Sequence, residues 1–388
     1  MKTVGLITMH RVLNCGSFLQ AYATVKAVER LGYDCTVIDY LYPMPWHLEN
    51  AVGNENVQED NRRFRRLKKL FRMFGVLRYV KRVRTYWRLH RALREFRDFS
   101  GVKLTCAYSR KSILKSPPRF DVYLTGSDQT WNPRYVASDH SFLLDFTPEP
   151  AKRIAYAASF GCNELPVEHR KDYAGLLNRY SAISVREESG VPMVKDLCGK
   201  DASFVLDPTL LLTADEWHPL EADNVSPGRR FVFVYALSYV FDPFPDIVEL
   251  ADRVAKELNA EVIFYTDAVS RSELRDSGFS VISSLKHPLA PSEFLEYIDK
   301  SVFVISTSFH GTAFAVNFHK DFYAYLNPHP SKDDRVKSFL SSIGLEDRGV
   351  KERSDDLKIK TTYTVADERL CRLRERSEKY LHDAIAKN

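Results

Sequence analysis

One histidine stands in the part of the chain best suited to acid–base chemistry. His310 and Gly311 follow the apolar run 303–305, which predicts a buried strand, and precede residues 312–316, where a helical pattern begins. They are expected at the carboxyl edge of a sheet, where open α/β sheets bind ligands. A helix start offers unpaired N–H groups to an anion, and Gly311 lets the backbone approach closely. The pattern predicts that His310 transfers protons beside a bound anionic donor, and a structural histidine that caps the helix is the alternative.

A polar turn near the start of the chain could contribute to the same site. Asn14, Cys15, Gly16 and Ser17 lie directly before a predicted helix that contains Gln20. The turn is similar to a phosphate-binding turn, although it has only one glycine. A helix capped by Ser17 is the alternative.

A second polar loop, residues 126–132, follows the apolar run 120–125. Hydrogen-bonding side chains beside a tryptophan suit a polyol, because sugars present hydroxyl groups at their edges and C–H groups on their faces. A capped turn with the tryptophan in the core is the alternative. The candidates are Ser127, Asp128, Gln129, Trp131 and Asn132.

An arginine ends a third predicted strand, 182–185. Arg186 would be costly to bury at that position unless its guanidinium meets an anion, and its fork of donors suits a carboxylate or a phosphate. The alternative is a structural ion pair with Asp207 or Glu187.

The elements that position these loops alternate between strand and helix. Apolar strands at 3–8, 35–40, 120–125 and 182–185 predict a parallel sheet in the first half. A linker-like stretch at 212–230 precedes a second set of strands at 231–237, 261–265, 302–305 and 321–326, and a charged helix at 366–386. The layout predicts two α/β domains facing a cleft, with residues 1–215 in the first and 225–388 in the second.

Composition excludes several classes of protein. The six cysteines form no Cys-x-x-Cys pair and no histidine stands at ligand spacing, so we expect neither a zinc site nor a disulfide framework. Cys15 alone lies in a candidate loop, where Ser or Ala would fit equally well. No apolar run approaches the roughly 20 residues that span a bilayer, and no signal peptide is expected. The expected location is the cytoplasm.

Taken in order, these segments resemble the polysaccharide pyruvyl transferase family. The resemblance covers nearly the whole chain except about residues 45–95, and the Gly-Ser-Asp-Gln-x-Trp-Asn block is its most specific part. It implies a fold similar to GT-B glycosyltransferases, with two Rossmann-like domains, and transfer of pyruvate from phosphoenolpyruvate to a sugar of a cell-surface polysaccharide precursor, such as an exopolysaccharide or capsule, as a ketal. The matching segments are residues 5–8, 14–22, 124–133, 157–161, 184–190, 206–209 and 308–311.

The resemblance also implies roles for individual residues. Arg186 and His310 would bind the donor, since they stand where the family has its donor-site arginine and histidine. Ketal formation requires that C3 of the enol be protonated and that sugar hydroxyls be deprotonated, and on that ground we predict His310 as the acid and Asp128 as a base or as the group that orients the acceptor. Some relatives have a second arginine where this chain has Ser308, so Arg335, Arg153 or Lys152 would have to supply the remaining anion contact. Ser308 and Gly311 complete the predicted donor site, and no metal or further cofactor is expected. The predicted acceptor site consists of Asn14, Ser17, Gln20, Ser127, Gln129, Trp131 and Asn132.

A basic segment within the first domain, about residues 55–97, calls for its own explanation. Residues 62–97 hold fifteen Lys or Arg and one acid, Glu95, although the whole chain has a net charge of only +5. Apolar residues recur there every three or four positions, which predicts a basic amphipathic helix. Such helices lie on anionic membranes, where a lipid-linked oligosaccharide acceptor would be presented. Packing on the domain or an oligomer contact is the alternative, and nucleic-acid binding is not expected.

Two other functions remain open from the sequence. A nucleotide-sugar-dependent glycosyltransferase would have the same architecture, although no acidic ribose-binding pattern follows the glycine-containing turns of the second domain. A non-catalytic scaffold for glycan assembly would retain the fold and bind membrane enzymes through the basic segment.

Overall fold

The chain folds into two parallel β-sheets, each flanked by helices. The computed structural model describes residues 1–12, 14–43, 87, 91, 94, 97–136, 138–223, 228–238, 241–284, 286–327, 335–351 and 357–387. Most strands are continuous runs of apolar residues, as expected for a parallel sheet that is covered by helices on both faces. The predicted architecture of two Rossmann-like α/β domains is confirmed.

The first sheet contains the amino-terminal strands. Its order is β2-β1-β3-β4, and all pairs are parallel. Two short strands that pair with each other continue the sheet beyond β4, because Arg186 N donates to Ala158 O (3.2 Å) and Ala155 N donates to Ala182 O (3.0 Å). The strands are β1 (Thr3–Ile7), β2 (Asp34–Val37), β3 (Val122–Thr125), β4 (Lys152–Ala155), β5 (Ser184–Val185) and β6 (Ser203–Phe204). The helices around them are α1 (Cys15–Arg30), α2 (Arg110–Lys115), α3 (Pro133–Val136), α4 (Val167–Leu177), α5 (Gly190–Cys198) and α6 (Ala214–Trp217).

The second sheet has six parallel strands in the order β9-β8-β7-β10-β11-β12. Numbered within the domain, this order is 3-2-1-4-5-6, the strand order of a dinucleotide-binding Rossmann domain. The strands are β7 (Phe231–Ala236), β8 (Glu261–Thr266), β9 (Ser280–Ser283), β10 (Phe303–Ser306), β11 (Phe322–Tyr325) and β12 (Gly349–Val350). The helices are α7 (Asp246–Leu258), α8 (Ser272–Asp276), α9 (Pro291–Lys300), α10 (Phe309–Asn317), α11 (Arg335–Ile343) and α12 (Thr364–Ala386).

The last helix joins the two halves of the molecule. Helix α12 packs on α11 of the second domain and then continues onto the first. There the hydroxyl of Tyr380 donates to Ala155 O (2.9 Å), and Leu206 N donates to Ser377 Oγ (3.0 Å). The helix that follows the second domain in sequence therefore covers the first domain in space.

Several elements have no counterpart among the predictions, and helix α5 and strand β9 show why. Helix α5 begins with Gly190 and has Pro192 in its first turn, where proline is tolerated because the N–H it lacks would have no intrahelical partner. Because of these two residues, the sequence pattern does not predict the helix. Strand β9 lies at the edge of its sheet and is largely exposed, so its four residues carry too weak a pattern to predict.

Most of the basic segment lies outside the described residues. Trp87, Arg91 and Arg94 are helical and exposed, and residues 97–100 are also helical. The predicted amphipathic helix over 62–97 stays a prediction. No helix in the described part of the chain is long and apolar enough to cross a membrane.

Candidate active site

Each sheet has one point where the strand order reverses, and the polar loops named above lie at these two points. In the first domain it falls between β1 and β3, which lead into Asn14 and Asp128. In the second it falls between β7 and β10, and His310 follows β10. Such reversals open a crevice at the carboxyl ends of the strands, which is where α/β sheets bind ligands.

The two loops meet at the start of helix α1. Asn14 caps this helix, since its side-chain oxygen accepts a hydrogen bond from Gly16 N (2.8 Å). The imidazole of His310 packs directly on Gly16, because a Cβ atom added there would lie 2.1 Å from His310 Nδ1. Only glycine allows this approach. Residue 16 of the first domain and residue 310 of the second therefore form one site.

A buried carboxylate connects three of the elements. Asp207 Oδ2 accepts hydrogen bonds from Ser127 Oγ (2.8 Å) and Arg186 Nη1 (3.0 Å), and it lies 3.7 Å from His310 Nε2. The last distance is too long for a hydrogen bond but is an ion-pair distance when the imidazole is protonated. Asp207 Oδ1 is held by the backbone N–H and hydroxyl of Thr209 (3.0 and 2.7 Å).

Two nitrogen atoms in this cluster lack hydrogen-bond partners. Arg186 Nη2 and His310 Nε2 are both buried, and neither makes a hydrogen bond with any residue that the structure describes. The guanidinium lies over the ring of Phe309, with Cζ 4.6 Å from the ring centroid. Because buried polar groups are nearly always hydrogen-bonded, two such atoms beside one carboxylate indicate a ligand site.

The backbone at Asp128 is strained. Its φ of 77° lies in the left-handed region, which residues other than glycine rarely adopt. The side chain accepts hydrogen bonds from Ser17 Oγ (2.6 Å) and from Gln129 N (2.8 Å). Burial alone would raise the pKa of Asp128, but the charges of Arg186 and His310 and these hydrogen bonds lower it. Asp128 is therefore an ionised acceptor held in a costly conformation, which is a property of functional sites.

The charges of the site are strongly coupled. Burial would raise the pKa of Asp207, yet His310, Arg186 and Thr209 together hold it well below its usual range. Burial would lower the pKa of Arg186, but Glu187 and Asp207 raise it, while the charge of Arg335 opposes them. Arg335 begins helix α11, and this opposition indicates that it adds positive charge close to Arg186.

Comparison with known proteins assigns the family. A family model described as "Polysaccharide pyruvyl transferase" matches residues 14–329, which is most of the chain. The chain belongs to this family. No curated protein sequence matches this family member significantly.

Solved structures support the GT-B architecture of this pyruvyl transferase family member. A UDP-GlcNAc 2-epimerase from Neisseria meningitidis, bound to UDP-GlcNAc, has a TM-score of 0.52 and 9% identity, with both chains covered completely. The UDP-GlcNAc 2-epimerase of Methanocaldococcus jannaschii has a TM-score of 0.48 and 11% identity, and covers 97% of this chain and 92% of its own. At 9% identity the similarity to the Neisseria meningitidis enzyme shows the fold alone, and it confirms the predicted GT-B-like arrangement.

Three of the predicted acceptor residues are fully buried in this family member. Trp131 is 0% exposed and packs against Phe160 and Tyr180, so its ring cannot stack on a sugar here. Its Nε1 donates to Phe142 O (3.2 Å), which is the contact of a core tryptophan. Ser127 and Gln20 are equally buried, and they hold Asp207 and Thr8 respectively.

The other predicted acceptor residues lie around the crevice. Asn14 and Gln129 are partly exposed, whereas Ser17 and Asn132 are buried. Gln129 accepts a hydrogen bond from Asn132 Nδ2 (2.8 Å), and both side chains pack on Gly161. The assignment of these four residues to an acceptor stays a prediction.

Two of the three candidates for the additional anion contact belong to the scaffold. Arg153 donates to Thr147, Glu149 and Ala151, and Lys152 Nζ donates to Ile385 O (2.8 Å) in helix α12. Their contacts therefore fix the connection before β4 and the end of α12. Arg335 is the candidate whose charge acts on Arg186.

Several residues of the site could not be assigned from sequence. Asp207 and Glu187 appeared there only as structural partners of Arg186, yet Asp207 also approaches His310. Phe309, which lies under the guanidinium, gave no signal because it reads as an ordinary apolar residue of a helix. A short segment in which Asp207 precedes Pro208 at the end of an apolar run was the available signal.

One group of side chains in the described residues could hold a metal ion elsewhere. His218, Glu221 and Asp299 place ligand atoms within 4.8 Å of one another. Lys320 Nζ lies 3.1 Å from Asp299 Oδ1 and neutralises part of this negative charge. The expectation that the reaction needs no metal or further cofactor stays a prediction.

Proposed function

We propose that this protein transfers pyruvate from phosphoenolpyruvate to two hydroxyl groups of one sugar, forming a cyclic ketal. Two C–O bonds form at C2 of the donor, and the bond from C2 to the phosphate oxygen breaks. One hydroxyl proton is accounted for by the new methyl group at C3 and the other by the released phosphate. The family supports a transferase of this kind, and the donor and acceptor are our proposal.

The buried nitrogen atoms without partners are the observation that carries the proposal. Arg186 Nη2 and His310 Nε2 are both buried beside Asp207, so a ligand that offers no acceptor atom would leave both donors unsatisfied. A carboxylate or phosphate oxygen would accept from both. Phosphoenolpyruvate carries both groups, and the fork of an arginine matches either one.

Further positive charge and donors surround the proposed donor site. Helix α10 begins after Ser308, and its first-turn N–H groups, including that of Gly311, add to the favourable field for an anion. A Cβ added at Gly311 would lie 2.2 Å from Ser306 Oγ, so the turn requires glycine. Arg335 contributes a second guanidinium near Arg186.

We assign different steps of the proton chemistry to the two acid–base candidates. His310 supplies the proton that C3 of the enol receives, a step for which a positioned acid typically contributes ~100 to 10,000-fold. Asp128 has a lowered pKa and is therefore ionised and weakly basic. We assign it to orienting an acceptor hydroxyl by accepting its hydrogen bond.

The acceptor in this proposal is a glycan carried on a lipid. The family name refers to polysaccharide, and residues 62–97 carry a large excess of positive charge suited to an anionic bilayer. Trp87 supports this assignment, because it is helical, 64% exposed and accompanied by the exposed Arg91 and Arg94. Flotation with liposomes containing phosphatidylglycerol should show salt-sensitive binding that weakens in Trp87→Ala, and no binding at low salt would refute the membrane assignment.

The donor is tested by thermal shift with phosphoenolpyruvate and with UDP-GlcNAc. A ligand at 100 times its Kd raises the free energy of unfolding by about 2.7 kcal/mol. We expect phosphoenolpyruvate to stabilise the wild type and Arg186→Lys to lose most of this shift, because lysine lacks the fork. Arg153→Lys is the matched control, since Arg153 is as deeply buried but bonded within the scaffold. It should lower the melting temperature and retain the ligand shift.

The other outcomes discriminate between functions. A shift with UDP-GlcNAc alone would replace our proposal by a nucleotide-sugar glycosyltransferase. No shift with either ligand, in a protein that binds liposomes, would favour the scaffold. A shift with phosphoenolpyruvate that survives Arg186→Lys would contradict the placement of the donor.

A further inference from the structure

Asp207 lies where several elements of the site meet. Its Oδ2 atom touches the loop after β3 through Ser127, the end of β5 through Arg186, and the second domain through His310. Its other oxygen is fixed by Thr209 within its own turn. A single oxygen atom therefore lies beside both residues assigned to the donor.

A second group of Arg, His and Asp lies entirely within the first domain, and there the carboxylate is bonded to both basic residues. Asp39 accepts two hydrogen bonds from Arg11, Nε at 2.6 Å and Nη2 at 2.7 Å, and it lies 3.0 Å from His10 Nε2. All three residues are buried, and the carboxylate locks both partners. In that arrangement both ring nitrogens of His10 and two nitrogens of Arg11 have partners within the protein.

In the group at Asp207, by contrast, one nitrogen of the arginine and one of the histidine are not bonded to the carboxylate. Arg186 uses only Nη1 toward Asp207, so Nη2 stays unbonded, and His310 Nε2 stops 3.7 Å short. At that separation the carboxylate still stabilises an imidazolium by its charge, while the N–H bond remains available to another acceptor. The difference between the two groups is therefore one of geometry, in chemically matched residues.

We propose that Asp207 is the positioning residue of this site: it turns Nη2 of Arg186 toward the ligand and places a negative charge beside Nε2 of His310 that stabilises an imidazolium there. The inference deepens the proposed function, on which its kinetic consequence rests. Its structural part, the coupling of Asp207 to the proton on His310, holds whatever the substrate is.

Other charged groups also lie near His310 and Arg186. Asp128, after β3, interacts electrostatically with both His310 and Arg186, and Arg335, at the start of α11, adds positive charge close to Arg186. Glu187 acts through Arg186, with Oε1 3.3 Å from its Nε. Helix α1 contributes the uncharged Gly16 at the contact, and Cys15 points away with Sγ 3.3 Å from Leu289 O. Asp207 Oδ2 lies 3.7 Å from Nε2 of His310, so removal of this carboxylate should have a large effect on the imidazole.

The direct test is an NMR pH titration of the histidine side chains in the ligand-free protein, with His310 assigned from His310→Gln. In Asp207→Asn we expect His310 to lose its proton at a lower pH than in the wild type, because the carboxylate charge 3.7 Å from Nε2 is removed. Ser127→Ala retains the carboxylate and removes one hydrogen bond from Oδ2. We expect this variant to shift the titration of His310 to higher pH. It also tests the role of Asp207 if Asp207→Asn does not fold.

The kinetic test follows the pH dependence of kcat/KM with phosphoenolpyruvate. The alkaline limb should move to lower pH in Asp207→Asn, in step with the titration. Asp39→Asn is the matched control, because it removes a buried carboxylate from an arginine and a histidine outside the proposed donor site. It should lower stability without moving the limb.

The possible results separate this inference from the proposed function. A titration of His310 that does not move in Asp207→Asn, or that moves equally in Asp39→Asn, would overturn the role of Asp207. A wild type that shows no turnover with phosphoenolpyruvate would refute the proposed function, while the titration would still decide the role of Asp207.

Discussion

Gly16→Ala is the substitution whose effect follows most directly from the geometry. The new Cβ atom would lie 2.1 Å from Nδ1, 2.3 Å from Cγ and 2.8 Å from Cβ of His310. Ordinary contact begins near 3.4 Å, so the imidazole must retreat by about 1.3 Å. A misplacement of that size at a reacting group costs ~100-fold in rate.

The same substitution should do little harm to stability. Gly16 lies in the first turn of α1 with helical geometry, and alanine is favoured over glycine in helices by up to about 1 kcal/mol. This gain offsets part of the strain of moving His310, so the melting temperature should change little. We therefore expect kcat/KM with phosphoenolpyruvate to fall by about 100-fold in a folded protein.

Gly175→Ala provides the matched control. Gly175 lies in helix α4, and no atom lies within 4 Å of the position its Cβ would take. It should gain up to about 1 kcal/mol of stability and keep its activity. Retention of near-normal kcat/KM in Gly16→Ala, with Gly175→Ala also active, would refute the contact between the two domains at His310.

Two further predictions concern stability. The depressed pKa values of Asp39 and Asp207 mean that both carboxylates stabilise the fold above their unfolded pKa of about 4, and that this stability is lost as the pH falls toward their folded values. Unfolding by denaturant should accordingly show the free energy of unfolding falling steadily below about pH 4, and less steeply in Asp39→Asn; an identical slope would contradict the buried pairing of Asp39. Trp131→Ala should cost about 3 to 5 kcal/mol, because it leaves a large cavity among Phe160, Tyr180 and Phe142. It should retain a normal shift with phosphoenolpyruvate once folded, and selective loss of the ligand shift without loss of stability would return Trp131 to the binding surface.

The sequence placed His310 and Arg186 at strand ends because both signals are local. Each follows a short apolar run, and the reversal of hydrophobic pattern marks where a strand stops. The order of strands, and hence the meeting of residues 14–17 with residue 310, depends on pairing between segments far apart in the chain. No local pattern encodes that pairing.

Trp131 and Asp207 show where local patterns mislead. A tryptophan among polar residues fits a sugar-binding loop and a capped core turn equally well, and only the packing of Phe160 and Tyr180 decides. Asp207 also has an ordinary local explanation, since it caps the turn at Pro208–Leu210 through Thr209. Its second role arises because Ser127, Arg186 and His310 converge on its other oxygen.

The return of helix α12 to the first domain has a consequence for how the chain is made. Contacts of Ser377 and Tyr380 with residues 206 and 155 link segments separated by 171 and 225 positions. During synthesis the first domain emerges long before the residues that cover it, so a nascent chain exposes part of that surface until the second domain has been translated. The surface of the first domain that Ser377 and Tyr380 contact can therefore be covered only after the second domain has been made.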